Sequence, residues 1–231
     1  MRPVERGPWP KDAKGRRTLF SRYENARHDL ISRIGPYCSY CEARLPASLA
    51  VEHCQPKKHK KHLELDWGNF LLACVNCNSI KGRDPIRLGD HLWPDLHNTF
   101  RAFSYGPGAL VAPAAALSPQ LRARARRMMD LVGLDRNPGN DPSASDRRWQ
   151  EREDVWGIAE ESLAGLHANN TPQMQEQIVK TALGHGRWSI WMTVFGSESQ
   201  MLGLFIEAFR GTSRSCFDKA GRPVVRPGAV M

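Results

Sequence analysis

Hydrophobic residues recur at helical spacing near the start of the chain. The segment from Phe20 to Ile34 carries one apolar stripe, and Gly35 follows it directly. A stripe with a period near 3.6 residues is typical of an amphipathic helix, and Thr18 can cap its first turn. We therefore predict a helix between Thr18 and Gly35, preceded by an irregular arm over residues 1–17. The stripe consists of Phe20, Tyr23, Ala26 or Arg27, Leu30, Ile31 and Ile34.

The pattern changes between residues 48 and 81. The segment SLAVEHCQP (48–56) is short, β-prone and stopped by Pro56, which predicts a strand. The next segment, KKHKKHLELDWG (57–68), has the composition of a charged loop. The apolar run NFLLAC follows it, and a short helix is expected to begin near Asn78.

Beyond residue 118 the pattern is helical. Ser118 and Pro119 mark the start of one helix and Gly133 its end. After a predicted linker at 137–145, a second helix has Trp149, Trp156, Ala159, Leu163 and Leu166 on one face. Further helices are expected at about 172–184, 187–195 and 198–210. These patterns predict an α+β protein that is mostly helical, whose Trp, Phe and Met side chains form either a helical core or a docking surface.

Positive charge is concentrated in the first half of the chain. The net charge is +9, and residues 1–104 contribute 18 Lys/Arg against 11 Asp/Glu, whereas residues 105–231 contribute 15 against 13. A basic surface of this kind favours a polyanionic partner, either a nucleic acid or an acidic protein.

No segment resembles an export signal or a membrane span. The opening residues contain no apolar core, and the longest apolar stretch, ALVAPAAAL (109–117), is too short to cross a bilayer. We therefore expect a soluble, cytoplasmic protein with no membrane partner.

Four of the six cysteines form two CxxC pairs, separated by 32 residues. Two such turns can complete a closed tetrahedral site of four sulfurs, which suits structural zinc and leaves no position for a reactive water. The alternative is a set of unrelated free thiols. Cys54 and Cys216 lie outside the pairs and are expected to be inert buried residues. The paired cysteines are Cys38, Cys41, Cys74 and Cys77.

Polar residues between and beside the cysteine pairs form a second pattern. VEH (51–53) precedes the basic loop, Asn69 follows it, and CNSIK (77–81) lies where the short helix begins. Together with the cysteine pairs, this order resembles the HNH, or ββα-metal, endonuclease family over residues 36–83. The resemblance implies a zinc-stapled ββα-metal core with an N-terminal helix and a C-terminal helical region.

The resemblance also implies roles for individual residues. His53 matches the general base that activates water, and Glu52 and Asn78 match the ligands of a catalytic divalent ion, Mg²⁺ or Mn²⁺. Asn69 matches the residue that fixes the loop and orients the base. Lys81 matches a residue placed to contact phosphate.

Physical chemistry agrees with these roles, although each residue also has a simpler explanation. A neutral imidazole can accept a proton near neutral pH, and hard ions prefer carboxylate and amide oxygens. His53 could instead be a hydrogen-bonded core histidine, and Asn78 could cap the helix. Glu52 stands where the broader family most often has Asp, so direct and water-mediated contacts with the ion both remain open.

The basic loop contains four lysines that could bind phosphates. A charged loop is equally well explained as a solvated one. His59 and His62 also lie in this loop, and we expect them to be solvated rather than to bind metal. The four lysines are Lys57, Lys58, Lys60 and Lys61.

A longer set of segments resembles the PtuB family, the HNH nuclease subunits of Septu-type anti-phage systems. The segments are MRPVERG, PYCSYCE, AVEHCQPK, LDWGNFLLACVNCNSIKG and LWPDLHNTFRAFSY. The resemblance implies two parts, an arm, helix and nuclease domain over 1–105 and a helical region over 106–231 that packs or docks a partner. It also implies a PtuA-type ATPase partner and DNA as the substrate.

We therefore expect a metal-dependent DNA endonuclease of a defence complex. Two alternatives remain at this point. A restriction-type HNH nuclease would need a sequence-reading domain, and a non-catalytic zinc-dependent nucleic-acid binding module would leave His53, Asn69 and Asn78 without a shared purpose.

Overall fold

The computed structural model describes residues 1–45, 47–139 and 145–231. It is an α+β fold in which helices predominate and two small antiparallel hairpins supply the strands. The strands are β1 (Ala50–His53), β2 (Phe70–Ala73), β3 (Phe103–Gly106) and β4 (Leu110–Pro113). The helices are α1 (Arg27–Ile34), α2 (Val75–Lys81), α3 (Pro119–Val132), α4 (Arg148–Ala168), α5 (Pro172–His185), α6 (Trp188–Val194) and α7 (Ser199–Ala208).

The first helix begins later than predicted. A 3₁₀ turn at Tyr23–Ala26 leads into α1, and Thr18 caps neither. The backbone of Thr18 instead pairs with the N-terminal arm, since its N–H donates to Pro10 and its carbonyl accepts from the indole of Trp9. These contacts hold the chain extended through this region. The end of the helix at Gly35 agrees with the prediction.

The strands β1 and β2 and the helix α2 form a ββα unit. Val51 pairs with Leu72 and His53 pairs with Phe70, and all four residues of β2 are buried. Cys74 then caps α2, so the helix starts three residues earlier than Asn78. The unit therefore places the end of β1 beside the first turns of α2.

The second hairpin was not predicted. β3 and β4 pair from Phe103↔Pro113 to Gly106↔Leu110 across a tight turn. In this turn the backbone angle φ is positive at Gly108, where it is 67°, and at Ala109, where it is 61°. Gly106-Pro107-Gly108 is a turn signal, but Ala109 takes a conformation that is uncommon for a non-glycine residue, so the pattern alone does not predict this connection.

The helical region agrees with the sequence pattern. Ser118 caps α3 by accepting from Leu121, and Gly133 ends it in the left-handed conformation. α4 to α7 follow at the expected positions. Part of the predicted linker, residues 140–144, lies outside the described residues. The Trp, Phe and Met residues that α6 and α7 contribute are buried and form a core: Trp188, Trp191, Met192, Met201 and Phe205.

Two hydrophobic clusters are present. One joins the N-terminal arm, α1, the ββα unit and α3, and the other joins α4 to α7. Tyr105 of β3 packs against both clusters. The first cluster thus includes α3 residues beyond position 105, and the boundary between 105 and 106 stays a prediction. No helix among the described residues is long and apolar enough to cross a membrane.

Candidate functional site

The four paired cysteines converge on one point. Their sulfur atoms all lie within 4.8 Å of one another, and the Sγ atoms of Cys41 and Cys74 are 3.7 Å apart. A tetrahedron with Zn–S bonds of about 2.3 Å has edges of about 3.8 Å. The cluster is buried and has the dimensions of a structural zinc site, which a helix cap and two tight turns hold together.

Buried arginines from the helical region surround this cluster. Arg148 donates from Nη1 to the Sγ of Cys77 at 2.9 Å, and Arg187 donates to the carbonyl of Cys41. Arg152 is 2% exposed, and neither of its terminal nitrogens has a hydrogen-bond partner among the described residues. Burial lowers the pKa of Arg152 to about 10, and Arg187 adds to the decrease, but the group stays charged at neutral pH.

This positive charge fits a metal held by thiolates. Zn²⁺ with four thiolates keeps two uncompensated negative charges, and buried cations nearby stabilise them. Arg148 also pairs with Asp146 and Arg187 with Glu151, so Arg152, whose terminal nitrogens have no hydrogen-bond partner among the described residues, is the arginine whose charge the thiolates would balance. The donor set, the spacing and the surrounding charge therefore all indicate zinc.

The second candidate site is a cavity of about 520 Å³ in the ββα unit. It collects residues from β1, the basic loop and α2, which the sequence separates by up to 30 positions. Several of the residues predicted to act together are among those that line it. The lining consists of Tyr23, Val51, Glu52, His53, Pro56, Lys57, Lys58, Lys61, Glu64, Asn78, Lys81, Gly82 and Arg83.

The hydrogen bond of His53 fixes its tautomer. Nε2 lies 3.0 Å from the carbonyl oxygen of Glu64, and a carbonyl only accepts, so Nε2 carries the proton. Nδ1 is left with its lone pair and has no hydrogen-bond partner among the described residues. The rings of Tyr23 and Phe70 pack edge-on against the imidazole. Burial lowers the pKa of His53, so the ring is neutral at physiological pH.

Glu52 is held at both carboxylate oxygens. Oε1 is 2.6 Å from the ammonium of Lys81, and Oε2 accepts from the hydroxyl of Tyr40 at 2.5 Å. Lys81 also donates to the carbonyl of His53 at 2.8 Å and is buried. In this structure the ammonium of Lys81 is thus occupied by protein groups, and its expected contact with phosphate stays a prediction.

Oxygen donors for a hard cation are present in the cavity. A carboxylate offers about four lone-pair positions, of which Tyr40 and Lys81 use two, so Glu52 retains others. The amide of Asn78 is exposed and has no hydrogen-bond partner among the described residues, and Cys74, not Asn78, caps α2. Glu64 adds a second carboxylate to the lining. These donors fit Mg²⁺ or Mn²⁺, which bind carboxylate and amide oxygens.

Asn69 lies outside this cavity and ties the basic loop to β2. Its Oδ1 accepts from the backbone N–H of Gln55 at 2.8 Å. Its Nδ2 donates to the carbonyls of Gln55 and Leu63, at 2.9 and 3.3 Å. The side chain is 5% exposed, so these bonds are shielded from water. The geometry is that of a loop anchor.

Three of the four loop lysines line the cavity, namely Lys57, Lys58 and Lys61, whereas Lys60 does not. Lys57 pairs with Glu64 at 3.2 Å and lies 4.1 Å above the ring of Tyr23. His59 and His62 are exposed and line neither metal candidate, as expected.

Sequence reasoning missed several residues of the site. Glu64 is missed because its main role uses a backbone carbonyl, which any residue could supply. Tyr40 and Arg148 contact residues that are 12 and 71 positions away, respectively. Only the position of Tyr40 inside the first CxxC pair offered a signal.

Comparison with known proteins identifies one family. No curated protein sequence matches the chain. Residues 38–84 match the family model for HNH endonucleases. This segment runs from the first zinc-site cysteine to just beyond α2, so it contains the cysteine cluster and, apart from Tyr23, the lining of the cavity. The matched segment is therefore similar to HNH endonucleases, and this segment carries the candidate site.

Proposed function

We propose that this protein is a metal-dependent endonuclease that hydrolyses DNA phosphodiester bonds. One observation carries the proposal: a neutral His53 with a free Nδ1 shares a lysine-rimmed cavity with the oxygen donors Glu52 and Asn78. A nucleic-acid binding module would need the lysines, but it would not need a neutral histidine beside oxygen donors for a metal ion. The match to HNH endonucleases supports the same class of reaction.

His53 acts as the general base in this proposal. Its Nδ1 removes a proton from a water molecule, whose oxygen attacks the phosphorus while the opposite P–O bond breaks. The carbonyl of Glu64 accepts a hydrogen bond from the other ring nitrogen and favours the resulting imidazolium, because a hydrogen bond from a charged ring is stronger than one from a neutral ring. Asn69 keeps this geometry indirectly, since it fixes the loop that contains Glu64.

Glu52 from β1 and Asn78 from α2 would hold the divalent ion. When bound, the ion neutralises charge on the phosphate and on the departing oxygen. Lys58, Lys61 and Arg83 at the rim are exposed and positioned to bind neighbouring phosphates of the strand.

We further propose that the protein is the nuclease subunit of an anti-phage complex with a PtuA-type ATPase. The support is the set of PtuB-like segments that extends beyond the HNH domain, from the N-terminal arm to residue 105. Because the large apolar residues of α6 and α7 are buried, they do not supply the ATPase docking surface.

The test is His53→Ala, with His62→Ala as the matched control. Cleavage of DNA by the protein with its ATPase partner should fall by about 10²-fold or more in His53→Ala, the usual loss for a general base. His62 is exposed and lies outside the cavity lining, so His62→Ala should cut like the wild type. Zinc content and DNA affinity should not change in either variant.

The outcomes separate the candidate functions. Equal cleavage by the wild type and His53→Ala would refute the mechanism. Salt-sensitive DNA binding with no cleavage under any condition, with the ATPase present and with Mg²⁺ or Mn²⁺ added, would leave a zinc-dependent binding module instead.

A further inference from the structure

We propose that Tyr40 is a positioning residue that connects the zinc site to the catalytic ion site through Glu52. The inference rests on the proposed nuclease function and adds a residue that the HNH motif does not contain. It also makes the affinity for the catalytic ion depend on the geometry of the zinc-binding turn.

Tyr40 is rigidly placed. It lies between Cys38 and Cys41, and its side chain is fully buried with its ring edge-on to Trp93. Its hydroxyl donates to Oε2 of Glu52 at 2.5 Å, at the short end of the range for a hydrogen bond from a hydroxyl to a carboxylate. The position of this hydroxyl is thus set by the turn that carries two zinc ligands.

The hydroxyl of Tyr40 makes the second of two contacts that hold the carboxylate of Glu52. Lys81 holds one carboxylate oxygen at 2.6 Å and Tyr40 holds the other. With one contact alone, the carboxylate could rotate about its terminal bond, whereas two contacts fix its plane. The lone pairs that remain then keep one direction relative to the cavity, which is what a metal ligand requires.

Both proposed ligands of the catalytic ion are tied to the cysteine cluster. Asn78 follows Cys77 directly in α2, and Glu52 is reached through Tyr40. The two oxygen donors lie on different elements, β1 and α2, and both are connected to the cysteine cluster. The zinc site therefore does more than stabilise the fold, because it sets the distance and angle between these donors.

The test is Tyr40→Phe, which removes the hydroxyl and keeps the ring. Binding of Mn²⁺ to the zinc-loaded protein is measured by the electron paramagnetic resonance signal of the free ion, without DNA. We expect the dissociation constant of Mn²⁺ to rise about ten-fold or more, the usual effect of removing a group that orients a ligand. Cleavage by the complex with the ATPase should fall at low Mn²⁺ and recover at saturating Mn²⁺.

Tyr37→Phe is the matched control. The hydroxyl of Tyr37 also donates a hydrogen bond, to the carbonyl of the half-buried Leu183 at 2.9 Å, but Tyr37 lies outside the catalytic cavity. This variant should bind Mn²⁺ like the wild type. The zinc content and melting temperature of both variants are also measured. They show whether a loss of Mn²⁺ affinity comes only from a change in the fold.

A double variant tests whether Tyr40 acts through Glu52. In a Glu52→Gln background, Tyr40→Phe should change Mn²⁺ binding by less than about two-fold, because the coupling partner is already altered. Equal Mn²⁺ affinities of Tyr40→Phe and the wild type would overturn the inference. If the wild type bound Mn²⁺ but did not cut DNA even with its partner, the proposed function would fail, while the role of Tyr40 in ion binding would still be measured.

Discussion

The ammonium of Lys81 lies 2.6 Å from the carboxylate of Glu52, and both side chains are at most 3% exposed. Such a pair is a buried ion pair in the middle of the candidate site. Removing one partner of a buried pair leaves an uncompensated charge, which is far more costly than losing a surface salt bridge. Lys81 is thus as much a structural residue as a candidate for substrate contact.

We predict that Lys81→Met destabilises the protein by about 3–5 kcal/mol, because Glu52 is left buried without its counter-charge. The measurement is urea unfolding of the zinc-loaded protein, followed by circular dichroism. Lys60→Met is the control, since Lys60 is exposed and outside the cavity lining, and it should stay within about 0.5 kcal/mol of the wild type. A loss below about 1 kcal/mol in Lys81→Met would mean that the pair does not stabilise the fold.

Local signals explain what the sequence could predict. Each CxxC pair brings its own two sulfurs together. To predict the zinc tetrad, we therefore had to assume only that the two pairs meet in the fold. Ser118 and Gly133 delimit α3 through contacts within a few residues of themselves. In both cases the information lies in adjacent residues, and the structure agrees with the prediction.

Long-range contacts explain what the sequence could not predict. Thr18 fails as a cap because its backbone is used by Trp9 and Pro10. The spacing of CNSIK puts Lys81 one turn beyond Cys77, but it does not reveal that the ammonium pairs with Glu52. These partners become neighbours only after the elements pack.

We predict one tightly held zinc per chain, which Cys74→Ser should lose. Because Arg148 and Arg187 are buried against the cluster, loss of the thiolate charge should loosen α4 as well as the HNH domain. Elemental analysis measures the zinc, and amide hydrogen exchange measures protection in α4. Cys216→Ser is the matched control, because Cys216 lies outside the cluster and should not affect zinc.

Stable, folded protein without metal would contradict this prediction. A second result would contradict only its electrostatic part: unchanged hydrogen exchange in α4 after zinc loss would mean that the arginines do not depend on the thiolates.

We predict that the basic loop contributes to the salt dependence of DNA binding. Each lysine that neutralises a phosphate adds about 0.9 to the slope of log affinity against log salt for duplex DNA. Replacing all four loop lysines by glutamine should therefore flatten the slope. Titrations at several salt concentrations with His53→Ala protein measure the slope without cleavage.

The structure separates the contributions of individual lysines. Lys58 lines the cavity and Lys60 does not, although both are exposed. Lys58→Gln should reduce the slope by about one phosphate contact, whereas Lys60→Gln should leave it close to the wild-type value. If all these variants showed the wild-type slope, the loop would be a solvated surface segment that does not bind phosphate.

Asn69 should stabilise the fold and the active geometry together, because its three hydrogen bonds join the start of β2 to Gln55, which precedes the basic loop, and to Leu63 within the loop. Asn69→Ala leaves a buried N–H and two carbonyls without this partner, at about 1–3 kcal/mol for each group that water cannot reach. We therefore expect a loss of about 2–4 kcal/mol in urea unfolding. Cleavage should fall by up to about 10²-fold at a temperature where the variant is folded, since the loop that holds His53 shifts.

Asn69→Asp keeps the acceptor for Gln55 but turns an oxygen toward two carbonyls, so it should not restore either property. Asn25→Ala, an exposed asparagine near the same domain, should stay within about 0.5 kcal/mol of the wild type. If Asn69→Asp behaved like the wild type, the two donated bonds would have no part in holding the loop.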